Sequence, residues 1–203
     1  MQSLRFAVAR FGRQWAVSLS STSAGSIGAL ACVQAILEEH KAFVCGLDDA
    51  VFTFYSPLFE GSVGQHTRHS LDHICKPLEL LAAHKKGSGE NLVRYDIRDR
   101  CTPVEKDRHA AIEQIEQLER TLRAVPQSNL AQPVQAAFML SADGHEIDFK
   151  STFGRELAFA AHHCIHHNAL SKVLLRHHFP ERSVPKSFGM APSTANFYSA
   201  QDD

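Results

Sequence analysis

Thirteen histidines stand out in this 203-residue chain, and seven of them fall in two short windows, 66–73 and 162–167. His66, His69 and His73 sit at i, i+3 and i+7, so on a helix they share one face. The second window supplies two i, i+4 pairs, His162/His166 and His163/His167. Such a pair points two imidazoles at one ion from one side. A third histidine on a facing helix completes a three-histidine site and leaves coordination positions for water or substrate. Core or surface histidines without a metal are the alternative, but two clusters on two helices are explained together by one ion. Periodicity separates the two pairs only slightly. Glu156, Ala160, Leu170 and Leu174 continue the face of His163/His167, and Arg155, Phe159, Ala169 and Val173 that of His162/His166. His177 and His178 read as a solvated helix end, where the backbone dipole favours them.

The elements that carry these windows can be read from periodicity and punctuation. A first helix is expected over residues 26–51, from the spacing of Ile27, Leu30, Leu37 and Phe43, with Pro57 and Gly61 in the loop after it. Ser62-Val63-Gly64-Gln65 is a capping box that should start a second helix running to His84. Thr102-Pro103-Val104-Glu105 reads as another capping box, with Pro at the first helical position, opening a third helix to Val125. Residues 134–140 and 146–150 flank Asp143-Gly144 and predict a β-hairpin, which must pack beside the helices because a lone hairpin is marginal. A fourth helix is expected from Ser151 or Thr152 to His178, closed by Phe179-Pro180. The tail 181–203, with Pro185, Gly189 and Pro192, reads as an extended wrap.

Composition sets the wider bounds. Hydrophobic residues make up 44% of the chain and charged residues 21%, an ordinary globular balance. The net charge of -1 gives no basic footprint for nucleic acid, and no apolar run is long enough to span a membrane. Five cysteines without a CxxC argue against a disulfide framework and read as small buried apolar residues. Residues 1–37 contain no acidic residue, carry Arg5, Arg10 and Arg13, and end their first stretch in a Ser/Thr cluster. That pattern predicts a mitochondrial transit peptide over 1–22, with a cytoplasmic protein as the alternative. The domains expected are therefore the leader 1–22, a bundle over 23–180 and the tail 181–203.

On these windows the sequence resembles the DinB/YfiT-like metalloprotein superfamily, over about residues 26–180. His69-Ser70-Leu71-Asp72 matches the family's His-x-x-Asp motif early in the second helix. His163-Cys164-Ile165-His166-His167 matches its His-x-x-His-His motif on the last helix. The resemblance implies an all-α fold, a four-helix bundle of the DinB/YfiT type with a small β-hairpin before the last helix. It implies His69, His163 and His167 as metal ligands, with Asp72 behind them. The excess of histidine leaves His66 as an alternate ligand. Zinc or nickel is the expected divalent ion, since imidazole suits both. The implied activity is that of a metal-dependent thiol S-transferase or isomerase, taking a small-molecule thiol and an electrophile. A metal-dependent hydrolase and a non-catalytic metal- or ligand-binding protein are the alternatives. In either enzyme Glu156 or His66 would accept the proton, and Tyr95, Arg98 and Arg100 would orient an anionic substrate. No nucleic-acid or membrane partner is expected; a homodimer is a candidate assembly.

Overall fold

The structure, a computed structural model, describes residues 28–85, 91–97 and 99–201. The transit peptide expected over 1–22 lies outside them, as does Arg98. The described elements are α1 (Ala29–Cys45), α2 (Asp49–Thr53), α3 (Val63–Lys85), β1 (Leu92–Arg94), α4 (Arg108–Arg123), β2 (Pro133–Met139), β3 (Glu146–Thr152), α5 (Phe153–His178) and α6 (Pro192–Ser199). Short 3-10 turns cover Pro103–Glu105 and Gln127–Ala131.

Four long helices close a ring: α3 packs on α5 and α4, and α1 packs on α4 and α5. Their shared interior holds Leu37, Val44, Ile74, Ile115, Leu157 and Leu174, all at or near zero exposure. The all-α four-helix bundle expected from sequence is nevertheless corrected. The hairpin is joined by β1, giving a mixed three-stranded sheet of order β1-β2-β3, so the fold combines helices and sheet. β1 runs parallel to β2, with Val93 opposite Ala136, and β3 runs antiparallel to it, from Pro133↔Thr152 to Met139↔Glu146. The physical reason is the one that made a lone hairpin doubtful: two strands bury too little, and a third strand with a helical layer beneath supplies the rest. Val93, Val134, Ala136 and Ala137 are buried where the sheet meets α3 and α5. Three residues of β1 are too few to show an alternating pattern, so sequence reading left them as loop.

The caps refine the boundaries. Ser62 and Gln65 form the expected capping box, Ser62 Oγ accepting from the Gln65 N–H at 3.1 Å and Gln65 Oε1 accepting from the Ser62 N–H at 3.0 Å. The box at Thr102 does not form. Thr102 makes no side-chain cap, and α4 starts six residues later behind Asp107, which accepts from the His109 N–H at 2.8 Å. Glu105 instead turns to Arg68 on α3, accepting at 2.8 Å. The single first helix divides at Gly46, because Asp48 starts α2 by accepting from the Val51 N–H.

The tail is more than a wrap. It carries α6, and it seats Phe188 in the core, stacked on Phe43 with ring centroids 4.0 Å apart. Gly189 makes this possible: its φ is +68°, and a Cβ there would lie 2.5 Å from the Ala169 nitrogen of α5. All five cysteines are free, but only Cys164 is buried; Cys32, Cys45 and Cys101 are exposed, against the expectation of small core residues. No described helix is long and apolar enough to cross a membrane.

Candidate functional site

The seam between α3 and α5 decides where the histidines go. The capping box fixes the first turn of α3. Gly64 then lets the helix press on the Pro103–Glu105 turn, since a Cβ at position 64 would fall 2.2 Å from the Glu105 carbonyl oxygen. α3 thereby turns Thr67 and Ser70 into the core, and its histidine face along α5. On α5 the buried stripe Leu157, Ala160, Ala161, Cys164 and Asn168 sets the rotation. His162 and His166 then point to solvent, while His163 and His167 stay half-buried.

Three imidazoles converge at this seam. His163 Nε2 lies 2.8 Å from His69 Nε2 and 3.2 Å from His167 Nε2. One ring nitrogen from each of the three falls within 4.8 Å of the others. The edge of a tetrahedral zinc–imidazole site is about 3.3 Å for metal–nitrogen bonds of about 2.0–2.1 Å, so the cluster has the size and donor type such an ion takes.

The surroundings keep the His167 ring unprotonated and in place. His167 is driven down to about 2, by burial first and then by the neighbouring imidazoles, so its ring is neutral and its lone pair available. His66 is the alternate ligand of the sequence reading, but it approaches from behind: its Nδ1 meets His167 Nδ1 at 3.0 Å. It orients the His167 ring, and its own basicity is lowered by burial and by His166. His73 fills the next position of the same face, its ring 4.1 Å from that of His163. Asp72 is held by Arg68, whose guanidinium donates to it at 2.6 Å and to Glu105 at 2.8 Å.

Glu156 is not part of the cluster. It is wholly buried two turns before His163 and accepts from the Tyr95 hydroxyl at 2.9 Å, the Arg155 guanidinium at 2.8 Å and the Ser151 hydroxyl. Tyr95 is buried as well, its hydroxyl pushed up by burial and by the Glu156 charge. Its ring stacks on His73 at 5.0 Å on one side and on Phe138 at 5.0 Å on the other. Arg100 is exposed. Sequence reading gave Tyr95 a substrate-orienting role in a loop and missed the stacking altogether, because nothing local to residue 95 signals β1 beside it.

A second feature lies across the bundle from the sheet. A groove of about 430 Å³ opens between α1 and the tail, walled by Ile36, Phe43, Leu47, Leu175, Pro185 and Phe188. Glu38, Glu39 and Arg182 stand at its rim. Glu39 is raised by burial, and Arg182 pairs with Asp48. No histidine contributes to it.

Comparison with known proteins gives one curated relative. The chain is 40% identical over 104 residues to FK506-binding protein 5 of Rhizopus delemar. The matched stretch is 51% of this chain and 26% of that protein, so the chain spans about a quarter of the relative's length. No family model matches the chain, and no solved structure matches it. The relative overturns the expected function. A protein named for binding FK506 stands where a metal-dependent thiol S-transferase, isomerase or hydrolase of the DinB type was expected. The physical reason for the error is that three converging imidazoles state what could be bound, not what reaction follows.

Proposed function

We propose that this chain is a ligand-binding module of the FK506-binding kind, with peptidyl-prolyl isomerase-like activity. The observation that carries the proposal is the 40% identity to FK506-binding protein 5 over half of the chain. The groove between α1 and the tail supports it as the place where an apolar macrocycle or a prolyl segment would lie. Its volume is within the range of small-molecule sites, which run from about 300 to 1,000 Å³. The chemistry suits its walls. The barrier to rotation about a prolyl amide comes from resonance, which makes the planar form more polar than the twisted one. Apolar walls that strip water from that amide destabilise the planar form relative to the twisted one and so lower the barrier. Ser183 supplies a hydroxyl at one edge that can donate to the peptide, while the Ser187 hydroxyl donates to Glu39.

The test is titration of the full chain with FK506 by calorimetry, beside a cis–trans assay on a prolyl peptide. One-to-one binding and faster isomerisation are expected in the wild type, and both should be lost in Ile36→Glu, which puts a carboxylate on the groove wall. Absence of binding and of rate enhancement in the folded wild type overturns the proposal.

We also propose that His69, His163 and His167 hold one divalent ion, zinc or nickel, as a resident cofactor. The compact set of imidazole nitrogens and the neutral ring of His167 support this. When bound, the ion supplies a fixed positive charge that ties α3 to α5. His66 holds the His167 ring at its outer nitrogen, and the Tyr95–His73 stack closes the cluster on the side of the sheet.

A further inference from the structure

A cavity of about 520 Å³ lies under β3, at the start of α5, and neither the histidine cluster nor the apolar groove uses it. Its apolar part is aromatic. Phe138 and Phe149 line it with their ring centroids 6.1 Å apart, edge to face. Phe149 is 44% exposed although it sits on the same face of the sheet as buried Ala136, its partner across β2. An aromatic ring half in water at the mouth of a cavity is an unfinished contact that a second aromatic ring would complete. Phe159 extends the wall behind Phe138 at 5.6 Å, and the Arg155 guanidinium lies over its ring at 5.5 Å.

The polar part centres on the Arg155 guanidinium, with Glu156 as the one carboxylate of the lining. Lys150 follows Phe149 on β3, so its side chain leaves the strand on the opposite face. That carboxylate is wholly buried and already receives the Tyr95, Ser151 and Arg155 hydrogen bonds, so it offers little to a ligand. Arg155 spends one N–H on Glu156 and remains 60% exposed; a guanidinium has five N–H donors in a planar fork. The unspent N–H groups of that fork remain at the cavity wall, beside the two phenylalanines.

We infer that this cavity is a binding site for a small aromatic carboxylate. The ring would lie against the exposed side of Phe149 at the mouth, and the carboxylate would accept from the Arg155 fork. Planar carboxylate recognition by a guanidinium fork is the arrangement in which arginine exceeds lysine. A cationic ligand is disfavoured, because the single acidic group is sequestered behind Tyr95 and Arg155. The site is separate from the histidines, with the stacked Tyr95 between Phe138 and His73.

Naphthoate is the probe, titrated calorimetrically into the full chain beside naphthamide and naphthylmethylamine, which keep the ring and change only the charge. Naphthoate is expected to bind at least tenfold more tightly than either. Arg155→Gln should remove that preference, and Phe149→Ala should weaken naphthoate and naphthamide alike. Because Arg155→Gln also exposes the Glu156 charge, Arg155→Lys serves as a second variant that keeps the charge and loses the planar fork; it should weaken naphthoate alone. FK506 should not compete, which separates this site from the groove beside α1. Equal binding of acid and amide, tighter binding of the amine, absence of naphthoate binding, or naphthoate affinity unchanged in Phe149→Ala and Arg155→Lys overturns the inference.

Discussion

His40 should make this fold sensitive to mild acid. The side chain is 1% exposed on α1, and its Nδ1 donates to Asn168 Oδ1 of α5 at 2.5 Å. That fixes the tautomer: the proton sits on Nδ1, and Nε2 is bare, buried and without a partner. Protonation would therefore add an N–H, and a charge, in a dry core with nothing to accept it. Burial lowers the group from 6.5 to about 4. Between those values the unfolded chain binds a proton that the folded chain refuses, so the unfolded state gains as pH falls. The contribution is fully present above pH 6.5, declines through the window and is gone at about pH 4. The gap of about 2.5 pH units at 1.36 kcal/mol each gives about 3 kcal/mol. Urea midpoints measured from pH 7.5 to 4 in the presence of a chelator should show this loss. His40→Leu leaves Asn168 without its donor and should cost about 1–3 kcal/mol at neutral pH. The slope, not the intercept, is the readout. In this window His40→Leu should lose stability more gently by about one proton, because His66 and His167 still resist protonation in both proteins. An identical slope in the variant would refute the assignment of the acid response to His40.

Removal of the divalent ion from the histidine cluster should lower the melting point: with ion at a hundredfold excess over its dissociation constant the loss is about 2.7 kcal/mol, or about 5–11 °C for a chain of this size. His163→Ala should lose the ion by elemental analysis and no longer respond to chelator, whereas full occupancy in that variant would count against the ligand set. Gly189→Ala should cost about 2–4 kcal/mol in urea, since it combines a left-handed φ with a clash against the α5 backbone; a neutral result would mean that the tail is not seated on α5. Arg68→Ala should cost about 3 kcal/mol by stranding Glu105, which is 7% exposed, and much of that should return in Arg68→Met/Glu105→Leu; failure of the double variant to recover would place the loss in packing instead.

What sequence could reveal followed the range of each interaction. The Ser62/Gln65 box, the helix it opens, the last helix and the Asp143-Gly144 turn are written in neighbouring residues and lie within two positions of expectation, whereas the first helix breaks at Gly46 and the third starts six residues late. Gly144 takes the positive φ of 84° that the turn needs. Spacing put histidines on one face of each of two helices, but it left His162/His166 and His163/His167 nearly equal; the trio His69, His163 and His167 was named by the DinB/YfiT resemblance, and the rotation of α5 that brings them together is a packing property. β1 was not, because its strand character comes from the Gln135–Ala137 backbone it pairs with, over forty residues away. Thr102 misled for a related reason: a capping box is a local preference, and the buried ion pair of Glu105 with Arg68 outweighs it. The groove beside α1 was invisible because its walls come from α1, α5 and a tail that sequence reading treated as a wrap.

Glu156 shows how a shared helical face can mislead about chemistry. Seven residues separate it from His163, so the two carboxylate-to-imidazole positions align on α5, yet seven residues also means about 10.5 Å along the axis. Alignment made Glu156 a plausible proton acceptor; the intervening distance makes it part of a different neighbourhood. Tyr95 occupies that interval from the side of the sheet, presenting its hydroxyl to Glu156 and its ring to His73. Ser151 and Arg155 complete the enclosure, so the carboxylate is held by three donors and serves to fix the start of α5 against β3. One helix thus carries two unrelated polar centres, and an aromatic layer of Tyr95, Phe138 and Phe159 divides them. The layer exists because β1 and β2 pair in parallel, bringing residue 95 beside residue 138. The strand that sequence analysis missed is therefore the element that decides which residues share a site.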